Sequence, residues 1–290
     1  MLSSKSFRNY TQQRGNIYLP VDLLIVRNGA SEGSVMLQKR KAQKDPDFDQ
    51  KYHETLGKVH NSKWRLTKLG TIQSRAAGRW ISENFPHFDA YLTSEFVRSL
   101  ETACCLNLDG AHWLPSLYLR PRDFGNFSRL DQNISQEQFK RYMLERARDS
   151  FYWAPPNGES IAHLTLRTER VVYWLRRHVP AHGSAIIVTH KDVMESFRIR
   201  IEKISEMDYK SMIMEPSQNH VLHYSSILHY TRRNPKTGEV VPYYQWMRIV
   251  TPWLGKHYTP NEFEPIVSKH YGNAELLAEV SNVPRIFSDE

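Results

Sequence analysis

The chain has 290 residues, 40% of them apolar and 12% aromatic, with a formal charge of +8 at pH 7. That is enough apolar material for one large domain, or one domain plus an appendage, and the basic balance favours anionic partners without choosing among phosphorylated ligands, RNA and acidic membranes. The two cysteines, Cys104 and Cys105, are neighbours, which excludes a disulfide framework and points to a reducing compartment; no apolar stretch approaches bilayer length, which excludes a membrane-spanning helix.

Residues 1–20 read as an N-terminal tail. The opening 21 residues hold Lys5, Arg8 and Arg14, several serines and no acid before Asp22. A cytoplasmic location is expected, with a mitochondrial transit segment as the alternative. The run Leu23-Leu24-Ile25-Val26 has the length and branching of a parallel strand and ends in Arg27-Asn28-Gly29, at the strand end where open α/β sheets bind ligands. Residues 39–63 are charged and read as a solvated insertion, a candidate lid. Leu66, Leu69, Ile72, Ala76 and Trp80 then fall near helical spacing, with Thr67 as cap. FDAYLTSE reads as a strand, RSLETACCLNL as a helix, SAIIVTH as another strand with a titratable group at its carboxyl end, and VMESFRIRIEKI as a helix. Alternation of strand and helix predicts a mostly parallel central sheet covered by helices on both faces, a three-layer α/β domain over 21–230. Beyond Tyr230 the pattern weakens through the turn RRNPKTGE, and 231–290 is expected to be an extension packed on that domain.

Three strand ends thus carry Arg27, Arg98 and His190. Two guanidinium forks and an imidazole at one crevice would make an oxyanion site, because planar N–H forks match phosphate oxygens. Each residue alone reads as a surface charge or a structural histidine; their joint placement carries the functional reading.

The ordered motifs resemble the histidine phosphatase superfamily, in its phosphoglycerate mutase-like branch. RNGASEGS is similar to the family's Arg-His-Gly opening, LTKLGTIQSRAAGRW to its Leu-Thr-x-x-Gly-x-x-Gln segment, and TSEFVRSLETA to its Ser-x-x-x-Arg-x-x-Glu-Thr-Ala signature. LYLRPRDFGNF resembles the Leu-Arg-Glu-x-Asp-Phe-Gly segment, PPNGESIAHL the Pro-Gly-Gly-Glu-Ser stretch, and IIVTHKDV the Val-Thr-His-Gly run. The matches cover about residues 21–200. The resemblance implies the mutase-like fold, no metal or other cofactor, and a phosphate or phosphorylated ligand held by Arg27, Ser31, Arg98 and His190.

Departures from the pattern bear on the chemistry. In the family the first histidine attacks phosphorus and a glutamate protonates the leaving oxygen; the matching positions hold Asn28 and Pro121. An amide nitrogen donates hydrogen bonds but does not attack, and proline has no proton to give. Ser34 stands where asparagine is common, and Lys191 where glycine follows the second histidine. Asp123 and Glu159 are candidate substitute acids. Two readings stand: a pseudo-phosphatase that keeps the fold as a phosphate-binding or scaffold protein, with a protein partner possible, and an active phosphomonoester hydrolase in which Asn28 is an introduced change or is compensated elsewhere. Natural drift is favoured, because Pro121 and Lys191 are departures that no substrate-trapping design needs. No RNA-binding signature is present, so nucleic acid is not the expected partner.

Overall fold

The computed structural model describes residues 18–42, 54, 58–126, 136–214, 220–268 and 270–287. The expected tail up to residue 17, and residues 43–53 and 55–57 of the charged stretch, lie outside the described residues.

One sheet organises the chain. Its strands are β1 (Asp22–Arg27), β2 (Ala90–Ser94), β3 (Trp113–Ser116), β4 (Ser184–Thr189), β5 (Ile227–Thr231), β6 (Trp246–Val250) and β7 (Glu264–Pro265), in the order β3-β2-β4-β1-β5-β6-β7. The β3–β2, β2–β4 and β4–β1 pairs are parallel, as expected. The other half of the sheet, through β5, β6 and β7, is antiparallel. The helices are α1 (Glu32–Ala42), α2 (Lys68–Asn84), α3 (Val97–Leu106), α4 (Gln136–Arg148), α5 (Ile161–His178), α6 (Lys191–Glu202), α7 (Glu206–Met214) and α8 (Asn273–Ser281). None is long and apolar enough to cross a membrane among the described residues.

The apolar run of β1 explains the three layers. Leu23 and Ile25 enter one core with Leu164, Val172 and Leu175 of α5 and Met194 and Phe197 of α6. Leu24 and Val26 enter a second core with Ala77 and Ile81 of α2 and Ala103 and Leu106 of α3. Side chains alternate across a strand, so a run without polar interruption has two covered faces.

One expectation is corrected. Helix α2 forms with Thr67 as its cap, the hydroxyl accepting from Gly70 N at 3.0 Å. Its buried residues are Gly70, Gln73, Ser74, Ala76, Ala77, Gly78 and Ile81, so Ala76 faces inward as its spacing suggested, while Leu69 and Ile72 are exposed. Backbone approach is the reason: a Cβ at Gly70 would lie 2.2 Å from Ala30 O, and one at Gly78 2.1 Å from Leu106 O. Glycine therefore stands at the two closest approaches, and Leu69 and Ile72 are left on the exposed side. β6 and β7, from the 231–290 stretch, pair into the central sheet beyond β5. The RRNPKTGE turn is the connection between β5 and β6, bridged at Arg233 and Val240.

Candidate functional site

The adjacent strands β1, β4 and β2 end together, with Arg27 of β1 opposite Thr189 of β4. Beyond these ends start three helices: α1 after Ser31, α3 after Phe96 and α6 after His190. Neither Phe96 nor His190 caps its helix with a side-chain bond. Helix N-termini expose unpaired N–H groups and the positive end of the dipole, so the strand edge is biased towards anions before any side chain is counted.

Arg27 is flanked by the 222–224 segment: Nη1 donates to Leu222 O at 2.5 Å, and the guanidinium lies 4.0 Å from the Tyr224 ring centroid. Burial pushes its pKa down, while Tyr224, Asp192 and Glu195 act in the opposite direction. Arg98, in the first turn of α3, is 9% exposed; its Nη1 donates to Asn61 O at 2.8 Å and its guanidinium lies 4.8 Å from the Phe96 ring centroid. Burial lowers its pKa to about 10, with Tyr224 partly compensating. Arg27 thus has Asp192 and Glu195 as counter-charges, whereas among the described residues no carboxylate acts on Arg98. An anion placed between the two guanidiniums would supply counter-charge to both.

His190 Nε2 lies 2.9 Å from Ser94 Oγ and 3.3 Å from Ser99 Oγ. Burial first, then the charges of Arg98, Arg167 and Arg27, hold its pKa well below the usual range. The imidazole is therefore neutral at pH 7, and an anion among the arginines would raise its proton affinity. Lys191 does not fill the site; its Nζ pairs with Glu195 Oε1 at 3.3 Å.

Asn28 is 5% exposed and follows β1 directly. Its N–H donates to Thr189 O, and its side-chain Nδ2 donates to Gly29 O at 2.8 Å. The next amides are fixed by Thr102 Oγ1, which accepts from Gly29 N, and Gln73 Oε1, which accepts from Ala30 N, both at 3.0 Å. Ser31 is turned to α1, its hydroxyl 3.0 Å from Ser34 Oγ.

The acid candidates have other partners. Glu159 accepts from Arg167 Nε at 2.8 Å and Nη2 at 2.9 Å, and Arg120 lies 3.6 Å away. Burial raises its pKa, but the Arg167 bonds and charge, the Asp123 amide and Arg120 outweigh that and hold it below the usual carboxylate range. At neutral pH it has no proton to donate. Asp123 Oδ1 accepts from Gly125 N at 2.8 Å, closing a turn. Pro121 presents only its carbonyl, 3.3 Å from Arg167 Nη2. No cluster of three or more metal-ligating His, Cys, Asp or Glu occurs among the described residues.

Four residues at or beside the site escaped sequence reasoning: Tyr224, Arg122, Arg167 and Asp192. Arg122 is 5% exposed, donating to Glu159 O at 2.8 Å and Trp153 O at 3.0 Å. Arg167 Nη1 holds the Tyr118 and Arg120 carbonyls at 2.5 and 3.0 Å, fixing the segment that contains Pro121. Tyr224 carried no signal in the sequence, where no strand is read after SAIIVTH.

Comparison with known proteins bears on the family and the fold. The model of the histidine phosphatase superfamily (branch 1) matches residues 25–234. A 2,3-bisphosphoglycerate-dependent phosphoglycerate mutase of Methylorubrum populi is 31% identical over 140 residues, which are 42% of this chain and 66% of that protein, just under two thirds of its length. A second protein of that description, from Bartonella tribocorum, is 24% identical over 63% of this chain and 82% of its own. Among solved structures, the alpha-ribazole phosphatase of Shigella flexneri superposes with a TM-score of 0.52 at 18% identity, covering 76% of this chain and 96% of that one. The mycobacterial glucosyl-3-phosphoglycerate phosphatase in complex with inorganic phosphate gives 0.51 at 16% identity, over 72% and 89%. At these identities the superpositions establish the fold.

Proposed function

The chain belongs to the histidine phosphatase superfamily, and on that premise we propose that it is a pseudo-phosphatase: a protein that binds phosphate or a phosphorylated ligand without forming a phosphoenzyme. Arg27, Arg98 and the N-terminal amides of α3 and α6 hold the oxyanion, with His190 as a further contact. Asn28 occupies the position of the attacking histidine and Pro121 that of the proton donor. The observation that carries the reading is Asn28 itself. It stands buried at the end of β1 beside an arginine, with a side chain that can only exchange hydrogen bonds where nucleophilic attack would be needed. The cradle is electrostatically primed, since two buried guanidiniums and three helix N-termini face one strand edge. Neither substitute acid restores the chemistry, because Glu159 is held ionised by Arg167 and Asp123 is used in a turn.

A second reading, an active phosphomonoester hydrolase, draws on one observation: a neutral His190 within the influence of both arginines could accept a proton from an attacking water. A hydrolysis assay with nitrophenyl phosphate, paired with calorimetry of inorganic phosphate, separates the two. Binding without turnover is expected. Turnover that Arg98→Met removes would establish the second reading.

A further inference from the structure

Residues 271–287 are exposed along their length, yet α8 carries a regular apolar row. Leu276 and Val280 follow at i and i+4 with Leu277 beside them, Val283 lies just past the helix end, and all four stand in solvent. The helix is well terminated at its start, where Glu275 Oε2 accepts from Gly272 N at 2.6 Å. Glu275 and Glu279 form an acidic row beside the apolar one. From 273 to 290 the sequence holds four acids and one base, a net of −3 in a chain of +8, so the remaining residues carry +11.

A complementary row lies on α5. Leu166, Arg170, Tyr173 and Arg177 alternate apolar and basic along its solvent face, at i, i+4, i+7 and i+11. Leu166 and Tyr173 are 66% and 57% exposed. Arg177 donates to the Tyr173 hydroxyl at 3.1 Å and lies over the same ring. We propose that α8 of one copy docks on α5 of a second copy of this chain, its acids against Arg170 and Arg177 and its apolar row against Leu166 and Tyr173.

Within one chain the two rows do not meet: residues 271–287 are exposed along their length, and so are Leu166 and Tyr173. A second copy, with its basic α5 face free to take the acidic α8, supplies the missing partner to each row, and a reciprocal exchange makes two equivalent contacts that close a two-fold dimer.

Sedimentation velocity on the full chain from 5 to 100 µM tests this, with circular dichroism to confirm that each variant is folded. A monomer–dimer equilibrium is expected. Glu279→Lys should weaken it about tenfold, as should the pair Arg170→Glu and Arg177→Glu, and the chain carrying all three changes should recover. Val280→Asp should leave only monomer. Wild-type chain that stays monomeric at 100 µM, or a dimer indifferent to these surface changes, would overturn the proposal.

Discussion

Replacing Arg98 by methionine should separate the binding site from the fold it burdens. In the free protein the Arg98 guanidinium is buried and its pKa is lowered to about 10, chiefly by burial. Against the ordinary guanidinium value, that depression corresponds to about 3 kcal/mol of unfavourable charge burial at pH 7. The sign is fixed by linkage. A cationic group with a depressed folded pKa costs stability at every pH below that pKa, and the cost fades only as the folded state loses its proton. Methionine removes this cost and keeps the aliphatic volume. It also loses the bond to Asn61 O and the stacking on Phe96, about 1 kcal/mol each. The net is a gain of about 1 kcal/mol, or about 2–4 °C in Tm. Phosphate should have the reverse pattern. At a hundredfold excess over Kd it stabilises the wild-type chain by about 2.7 kcal/mol. Loss of a charge-assisted bond weakens binding by about 1.5–3 kcal/mol, roughly ten- to a hundredfold. Thermal unfolding with and without phosphate measures both effects. A variant that is less stable when free, yet keeps its full phosphate shift, would refute the reasoning.

Stability should also fall between pH 7 and 5, because burial depresses the pKa of His190 and of His229. The unfolded chain takes up protons near pH 6.5 that the folded chain refuses, so urea midpoints should drop and the drop should shrink in His190→Gln. Glu159→Gln leaves Arg167, whose side chain is 8% exposed, without its carboxylate; a loss of about 3 kcal/mol is expected in equilibrium unfolding. Tyr224→Ala withdraws the ring that faces the Arg27 guanidinium and should weaken phosphate binding about five- to tenfold by calorimetry, an effect of about 1 kcal/mol. Asn28→His should give slow hydrolysis of nitrophenyl phosphate, and adding Pro121→Glu should extend this to alkyl phosphates, whose leaving groups need a proton. Equal rates on both ester types in the single variant would place the acid elsewhere.

Much of the site was legible because it sits on strand ends. A short, β-branched run such as Leu23–Val26, bounded by a polar turn, reads as a covered strand, and a polar residue directly after it emerges at the sheet edge. Arg27, which closes β1, and His190, directly after β4, follow that rule, whereas Arg98 lies four residues past β2 in the first turn of α3. The rest depends on contacts made across the fold. Arg167 and Arg122 look like ordinary surface charges until Glu159 and the carbonyls of 118–121 are brought to them. In α2 the apolar period pointed to Leu69 and Ile72, but the closest backbone approaches are at Gly70 and Gly78, and both large residues are left exposed. β6 was hidden because its neighbour β5 is reached through a polar turn, and nothing local shows that the chain returns antiparallel. Tyr224 belongs to the same class, since its place under Arg27 depends on where β5 enters the sheet.

The central claim is that the cradle binds a phosphomonoester and leaves it intact. Phosphorus NMR of phenyl phosphate mixed with the full chain at pH 7 tests it directly. The ester resonance should shift or broaden in a way that Arg98→Met reverses, with no inorganic phosphate appearing over hours. Inorganic phosphate accumulating faster than in that variant, or an ester resonance unaffected by the protein, would contradict it.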